Sequence, residues 1–205
     1  MKSRNDKLLI VFSKNPVAGR VKTRLASAIG NDEALRIYEQ LRELTRQAVV
    51  GVAATKVISY ADFIPESDLL LTGGAEAWLQ QGRDLGERMH NAFVKGFSLG
   101  FSRVALIGTD CSEITPFILD LAFQKLDESD VVLGPARDGG FYLSAMKRPF
   151  PELFLNRRWS TSSVLNDSQR IIREHARTCD LLPALSDIDT FDDLKASGLW
   201  TQESD

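Results

Sequence analysis

The sequence predicts an α/β fold of three layers with a mostly parallel central sheet. Two observations predict it. Continuous apolar runs recur at Leu8 to Phe12, Val104 to Ile107 and Val131 to Leu133. Runs without polar alternation read as strands buried on both faces, as parallel strands are. Stretches with apolar residues at helical spacing lie between such runs, and strand patterns alternating with helical patterns argue for crossover-connected strands. The chain reads as one domain over residues 1–205. At 205 residues, folding buries roughly 70% of the unfolded chain's surface, so a full core forms without staples.

The elements follow in order. Leu8 to Phe12 is the first strand. Ser13 to Leu25 is a loop marked by Pro16 and Gly19, then a short helix ending at Gly30. Asn31 caps a long helix whose apolar side carries Ala34, Ile37, Tyr38, Leu41, Leu44, Thr45 and Ala48. Lys56 to Tyr60 is a strand. Ala61 to Gly74 is a connection in which Leu69 to Leu71 reads as a short strand. Asp84 and Glu87 form the pattern of a capping box before a helix from Leu85 to about Leu99, with Leu85, Met89, Ala92, Phe93 and Gly96 as its apolar stripe. Val104 to Ile107 is a central strand. Thr115 as N-cap and Pro116 at the first helical position start the next helix, which runs to about Asp127 with apolar residues around much of its circumference. Asp130 to Pro135 and Phe141 to Ala145 are extended. Ser162 to Gln169 reads as helical, Ile171 to His175 as a further short helix, and Thr190 caps a last helix over Phe191 to Ser197, stopped by Gly198.

Several polar loops stand at the ends of these strands, where open α/β sheets bind ligands. The central strand ends in Gly108, Thr109 and Asp110. An acidic residue there suits a metal ion or a phosphate with its metal, and the alternative is that Asp110 only shapes the loop. After the first strand, Lys14, Arg20, Lys22 and Arg24 cluster around Gly19. Backbone N–H groups and a helix start can face an anion while Lys and Arg neutralise it. The alternative is a solvated basic loop. The pattern is not a P-loop, because Val21 stands where Gly must precede the lysine. Gly82 and Gly86 would let a ligand approach the helix after Asp84, and Arg88 on its first turn could reach the same ligand. Arg137, Asp138, Gly139 and Gly140 form another polar loop. Asp187 and Asp189 stand at a strand-to-helix junction. Paired carboxylates suit a divalent cation, which takes oxygen ligands, and capping of the last helix competes as an explanation.

Composition sets limits. The formal net charge is -3, which gives no basic character to suggest nucleic acid. The two cysteines, Cys111 and Cys179, have no metal-ligand spacing and form no disulfide framework, so reduced thiols and a cytoplasmic location are expected. No stretch approaches the roughly 18–20 apolar residues of a membrane span, and the polar residues Met1 to Lys7 do not open a signal peptide.

Taken together, a basic loop and several acidic loops describe a phosphate-transfer site, where cations and a carboxylate-held metal offset charge on a departing phosphate. The segments Lys14 to Leu25, Gln81 to Met89, Gly108 to Cys111, Gly134 to Tyr142, Trp159 to Thr161 and Asp187 to Thr190 resemble a bacterial family. It is the glycosyltransferase-like "transferase 1" family associated with radical-SAM and selenium-linked genes, similar to 2-phospholactate guanylyltransferase, within the nucleotide-diphospho-sugar transferase superfamily. The resemblance runs from about Leu8 to about Leu194. It implies a Rossmann-like GT-A fold. It also implies a Mg2+ or Mn2+ ion on Asp110, with Asp187 or Asp189 as a second acidic contact. Lys14, Gly19, Arg20, Lys22 and Arg24 would lie against nucleotide phosphates, with Gly82, Gly86 and Arg88 nearby. Asp138, Gly139, Gly140, Trp159, Ser160 and Thr161 would meet the transferred or accepting group, with Asp138 as candidate base. Ser112 departs from the usual Pro after the Gly-Thr-Asp-Cys run, and Phe141 stands where Tyr is common.

Three functions follow as expectations. The first is a divalent-metal-dependent transferase with a nucleotide-sugar donor and a small-molecule acceptor. The second is a nucleotidyltransferase joining an NTP-derived nucleotide to a phosphorylated acceptor with pyrophosphate release. The third is a nucleotide-binding protein without turnover.

Overall fold

The computed structural model describes residues 6–200. It has a seven-stranded sheet with helices on both faces, in the strand order β3-β2-β1-β4-β6-β5-β7. The strands are β1 (Lys7–Ser13), β2 (Thr55–Tyr60), β3 (Glu76–Leu79), β4 (Arg103–Ile107), β5 (Val131–Pro135), β6 (Phe141–Met146) and β7 (Cys179–Leu181). Only β6 opposes its neighbours, pairing antiparallel with β4 and β5, while the pairs of β1 with β2 and β4, β2 with β3, and β5 with β7 are parallel. The expected mostly parallel α/β sheet is therefore present.

The period-two geometry of a strand explains the unbroken apolar runs. Along β1, Leu9 and Val11 enter the core on one sheet face, and Leu8, Ile10 and Phe12 enter the core on the other. In β4, Ala105 and Ile107 split from Val104 and Leu106 in the same way. A third, smaller core of Leu25, Ala34, Ile37, Leu41, Ile188 and Leu194 joins the segment after β1 to the end of the chain.

The helices are α1 (Thr23–Ile29), α2 (Asn31–Val50), α3 (Leu85–Ser98), α4 (Pro116–Lys125), α5 (Val164–Glu174) and α6 (Phe191–Ser197). Thr115 caps α4 by accepting from the Ile118 amide, with Pro116 behind it. Thr190 and Asp193 form a capping box on α6, and Gly198 ends that helix in the left-handed conformation.

Six local expectations are corrected. Asn31 does not cap α2: it is the first helical residue, and Gly30 at φ 86 is the cap. Leu69 to Leu71 is a turn, not a strand, and the strand beyond β2 is β3, with Trp78 its buried residue. Leu85 is 45% exposed, and the buried stripe of α3 begins at Gly86. Glu87 completes only half a box, because its carboxylate takes the Arg83 amide instead of that of Asp84. The apolar circumference of α4 implies deep packing all round, yet Phe117 is 71% exposed. Finally, α5 is one helix, not two pieces.

Candidate active site

The carboxyl ends of β1, β4 and β5 and the start of β6 open into a cavity of about 690 Å3. Parallel strands bring their loops to one edge, so this position follows from topology. Asp110, Asp138, Asp187 and Asp189 all line it, as do Lys14, Lys22, Arg24, Arg88, Gly140, Trp159, Ser160 and Thr161.

Backbone pairing brings the acidic loops together. Cys111 forms an antiparallel bridge with Asp187, and the Ile188 amide donates to the Asp110 carbonyl at 2.9 Å. Ile188 itself is fully buried in the third core. The chain on either side of Asp187 is thereby stitched to the loop after β4. A second bridge, Ala136 to Leu185, ties the Asp138 loop to the same segment. Asp138 accepts from the Gly140 amide at 2.8 Å in a local turn and remains exposed to the cavity.

Lys22 stands at the centre. Its ammonium lies 2.5 Å from Asp110 and 3.0 Å from Asp189, with its side chain only 3% exposed. Burial works against its charge, but the two carboxylates outweigh burial and raise its pKa. Arg24 approaches Asp189 from outside at 4.0 Å. The Lys22 charge also favours the Asp187 carboxylate but is outweighed there. Burial, and then the neighbouring Asp110 charge, push its carboxyl up to about 7. The Cys111 thiol is pushed up to about 12 by burial, which makes it unreactive.

The donor chemistry suits a hard divalent cation. Asp110 and Asp189 keep 47% and 45% of their side chains exposed, leaving carboxylate oxygens open toward the cavity. Mg2+ binds through one or two carboxylates plus phosphate oxygens, so a complete protein cage is not required. Among the described residues, no three of His, Cys, Asp and Glu converge closely enough to hold a metal ion. The expectation of Asp110 with either Asp187 or Asp189 asks for two carboxylates, not three. The two residues that share Lys22 are Asp110 and Asp189, and Asp187 is the partly buried carboxyl beside them.

The remaining expected residues divide by geometry. Gly19 and Arg20 lie on the exposed outer part of the loop and do not line the cavity. Gly82 and Gly86 open no path to a ligand. A Cβ on Gly82 would meet the Arg88 amide at 2.6 Å, and one on Gly86 would meet the Phe154 carbonyl at 2.2 Å and Trp159 Nε1 at 2.4 Å. Close backbone packing explains both. Gly139, at φ 93, is pressed against the Ser162 carbonyl, so it shapes the Ser160–Ser162 turn instead of the cavity wall. Arg88 does line the cavity, and its Nε donates to the Gly82 carbonyl at 3.2 Å. Trp159 stacks on Phe154 at 6.3 Å and meets Phe141 edge-on at 6.0 Å, so the polar site has an aromatic side wall.

Sequence reasoning missed several residues. Tyr38 reads as a packing residue of α2, yet its hydroxyl reaches the site. It accepts from the Lys14 amide at 2.9 Å, and it lies 3.1 Å from both the Lys14 carbonyl and the Thr109 hydroxyl. It therefore joins the loops after β1 and β4. Arg42, 2% exposed, pairs with Asp68 and reaches Ser13, fastening the Ala61–Gly74 connection to the end of β1. Asn15 clamps that connection at Asp62 and Phe63. The one signal for Tyr38 and Arg42 was a polar group on an otherwise apolar stripe.

The chain matches the family described as "Uncharacterized protein conserved in bacteria (DUF2064)" over residues 41–161. A protein of Desulfovibrio desulfuricans G20, provisionally described as a nucleotide-diphospho-sugar transferase, shares 31% identity. The match covers 98% of this chain and 90% of that one at a TM-score of 0.89. A CMP:2-keto-3-deoxy-manno-octonic acid synthetase complexed with CTP shares 13% identity over 93% of this chain and 96% of that one, at a TM-score of 0.55. A Mycobacterium tuberculosis H37Rv protein in complex with manganese shares 12% over 93% and 96%, at 0.52. At these last two identities the likeness is one of fold. No curated protein sequence matches. Among the described residues no helix is long and apolar enough to cross a membrane.

Proposed function

We propose that this chain, which belongs to the DUF2064 family of bacterial proteins, is a divalent-metal-dependent transferase that uses a nucleotide-sugar donor. The observation that carries the reading is the union of Asp110, Asp189, Lys22, Lys14 and Arg24 on one cavity. Glycosyl transfer from a nucleotide sugar leaves a nucleoside diphosphate, whose charge must be met as the bond breaks. Lys14, Lys22 and Arg24 meet part of it. A Mg2+ or Mn2+ ion on Asp110 and Asp189, when bound, would supply Lewis-acid neutralisation of the phosphate oxygens. The likeness to the Desulfovibrio protein supports the donor class. The aromatic wall of Phe141 and Trp159 offers a stacking face for a sugar ring. Asp138, exposed at the cavity, is the candidate base.

A second reading is nucleotidyl transfer with pyrophosphate release. The three cations that line the cavity would serve a triphosphate, and the shared fold with a CTP-bound synthetase supports it.

A panel of nucleotide sugars and NTPs, incubated with and without Mg2+ or Mn2+, tests both. The first reading expects slow, metal-dependent hydrolysis of a nucleotide sugar without acceptor, abolished by Asp110→Asn at nearly unchanged melting temperature. Pyrophosphate release from an NTP in the presence of phosphorylated acceptors selects the second. Binding without turnover across the panel leaves a nucleotide-binding protein. If Asp110→Asn keeps its metal-dependent nucleotide affinity within about twofold, the metal role of Asp110 is wrong.

A further inference from the structure

The ammonium of Lys22 bridges two carboxylates that face the cavity. It contacts one oxygen of Asp110 at 2.5 Å and one of Asp189 at 3.0 Å. The lysine is not a loose surface group that drifts to the nearest acid. Its side chain is 3% exposed. Its backbone sits at φ 47 and ψ 43, a left-handed conformation that costs a non-glycine residue energy, and it caps α1 without a side-chain capping bond. Strain of this kind persists where surrounding structure over-determines it.

We propose that Lys22 is the resident counter-ion of the Asp110–Asp189 pair, and that a divalent cation can bridge the pair only when the lysine leaves it. This rests on the metal-dependent reading given above and deepens it with a rule for loading. A free metal ion must expel a buried ammonium that then finds no new anion. A metal ion carried by a phosphate brings that anion with it. The displaced ammonium moves from carboxylate to phosphate oxygen and keeps a charged partner throughout. The site therefore discriminates against the bare ion and in favour of the metal–phosphate complex. Arg24 cannot replace Lys22 in this role, because it touches Asp189 only at 4.0 Å and its side chain is 71% exposed.

The test uses the full chain, Mn2+ as the metal and no nucleotide, with bound and free Mn2+ separated by electron paramagnetic resonance at neutral pH. Lys22→Met removes the competing charge, and its Mn2+ dissociation constant is expected to fall by about tenfold or more. Lys22→Arg keeps the charge and is expected to stay within about twofold of wild type. Unchanged or weaker Mn2+ binding by Lys22→Met overturns the proposal, as does a Lys22→Arg gain equal to that of Lys22→Met. So does the lack of measurable binding by any of the three. Circular dichroism identifies a variant that does not fold. In that event wild type alone decides, through the rate of Lys22 acetylation by a water-soluble ester read by mass spectrometry. Saturating Mn2+ is expected to raise that rate several-fold, and an unchanged rate overturns the proposal. Neither measurement involves turnover. A wild-type protein without transferase activity would count against the proposed function and leave this inference intact.

Discussion

At the scale of single residues, Asp187 makes stability depend on pH. Its carboxyl moves from 3.8 to about 7 on folding, because burial and the Asp110 charge disfavour the carboxylate. The folded chain therefore holds a proton that the unfolded chain has already released. The stabilisation is complete below about pH 4 and is lost as pH rises toward 7. Metal-free wild type should lose stability across that window. Asp187→Asn should flatten the profile there and be more stable than wild type at pH 8 by about 1–3 kcal/mol. Denaturant unfolding of both proteins at several pH values measures this, and parallel profiles would contradict it. Tyr38 acts differently, through position. Tyr38→Phe removes the hydroxyl shared by Lys14 and Thr109. It should cost about 1–2 kcal/mol, since the buried polar groups left behind lose a partner. It should also weaken nucleotide binding without altering the metal dependence. A variant that loses stability alone would assign Tyr38 to packing.

At the scale of elements, the start of α3 is fixed by contact with the 153–161 segment. A Cβ at Gly86 would lie 2.2 Å from the Phe154 carbonyl, a backbone atom that cannot swing aside. Gly86→Ala should therefore destabilise by about 1–3 kcal/mol or more and displace Trp159 from the cavity wall. Gly96→Ala, where the nearest atom at 2.8 Å is the end of the Leu8 side chain, should cost less because that side chain can rotate. Thermal melts of the two variants rank them, and equal losses would show that the 153–161 segment yields as readily as Leu8. The same comparison explains what was legible in the sequence. Elements with strong periodicity and clear caps, such as β1, α3 and α4, were placed within a residue or two. β3 was not, because an edge strand with one buried residue, Trp78, carries little pattern, while Leu69 to Leu71 looked apolar for a different reason: they seat the connection, anchored by Arg42 and Asp68, on the core of the sheet. Nothing local marks β6 as antiparallel. That Asp110, Asp138 and Asp187 share one cavity was an expectation from strand-end logic. The partnership of Lys22 with Asp110 and Asp189 depends on a contact across 167 residues of sequence, and no spacing rule reports it.

At the scale of the whole molecule, the site is assembled by a core that serves it more than it serves the sheet. Leu25 follows Lys22 by three positions, and Ile188 lies between Asp187 and Asp189. Both side chains meet in the third core with Ile37, Leu41 and Leu194. Burying this cluster fixes the relative position of the basic loop and the late acidic loop. Loosening it should separate Lys22 from Asp189 before the sheet is affected. Ile188→Ala should cost about 2–5 kcal/mol, the usual range for emptying a fully buried site. Leu126→Ala, in the larger core beside the sheet and at the far end of α4 from the Asp110 loop, should cost a similar amount. The two variants should part company in binding. Ile188→Ala should lose metal-dependent nucleotide affinity by tenfold or more, roughly the effect of about 1.4 kcal/mol at the site. Leu126→Ala should bind as wild type does at a temperature where both remain folded. Denaturant unfolding gives the stabilities, and calorimetric titration of the folded variants gives the affinities. Equal binding by the two would mean that the Cys111–Asp187 bridge holds the late loop without help from the third core.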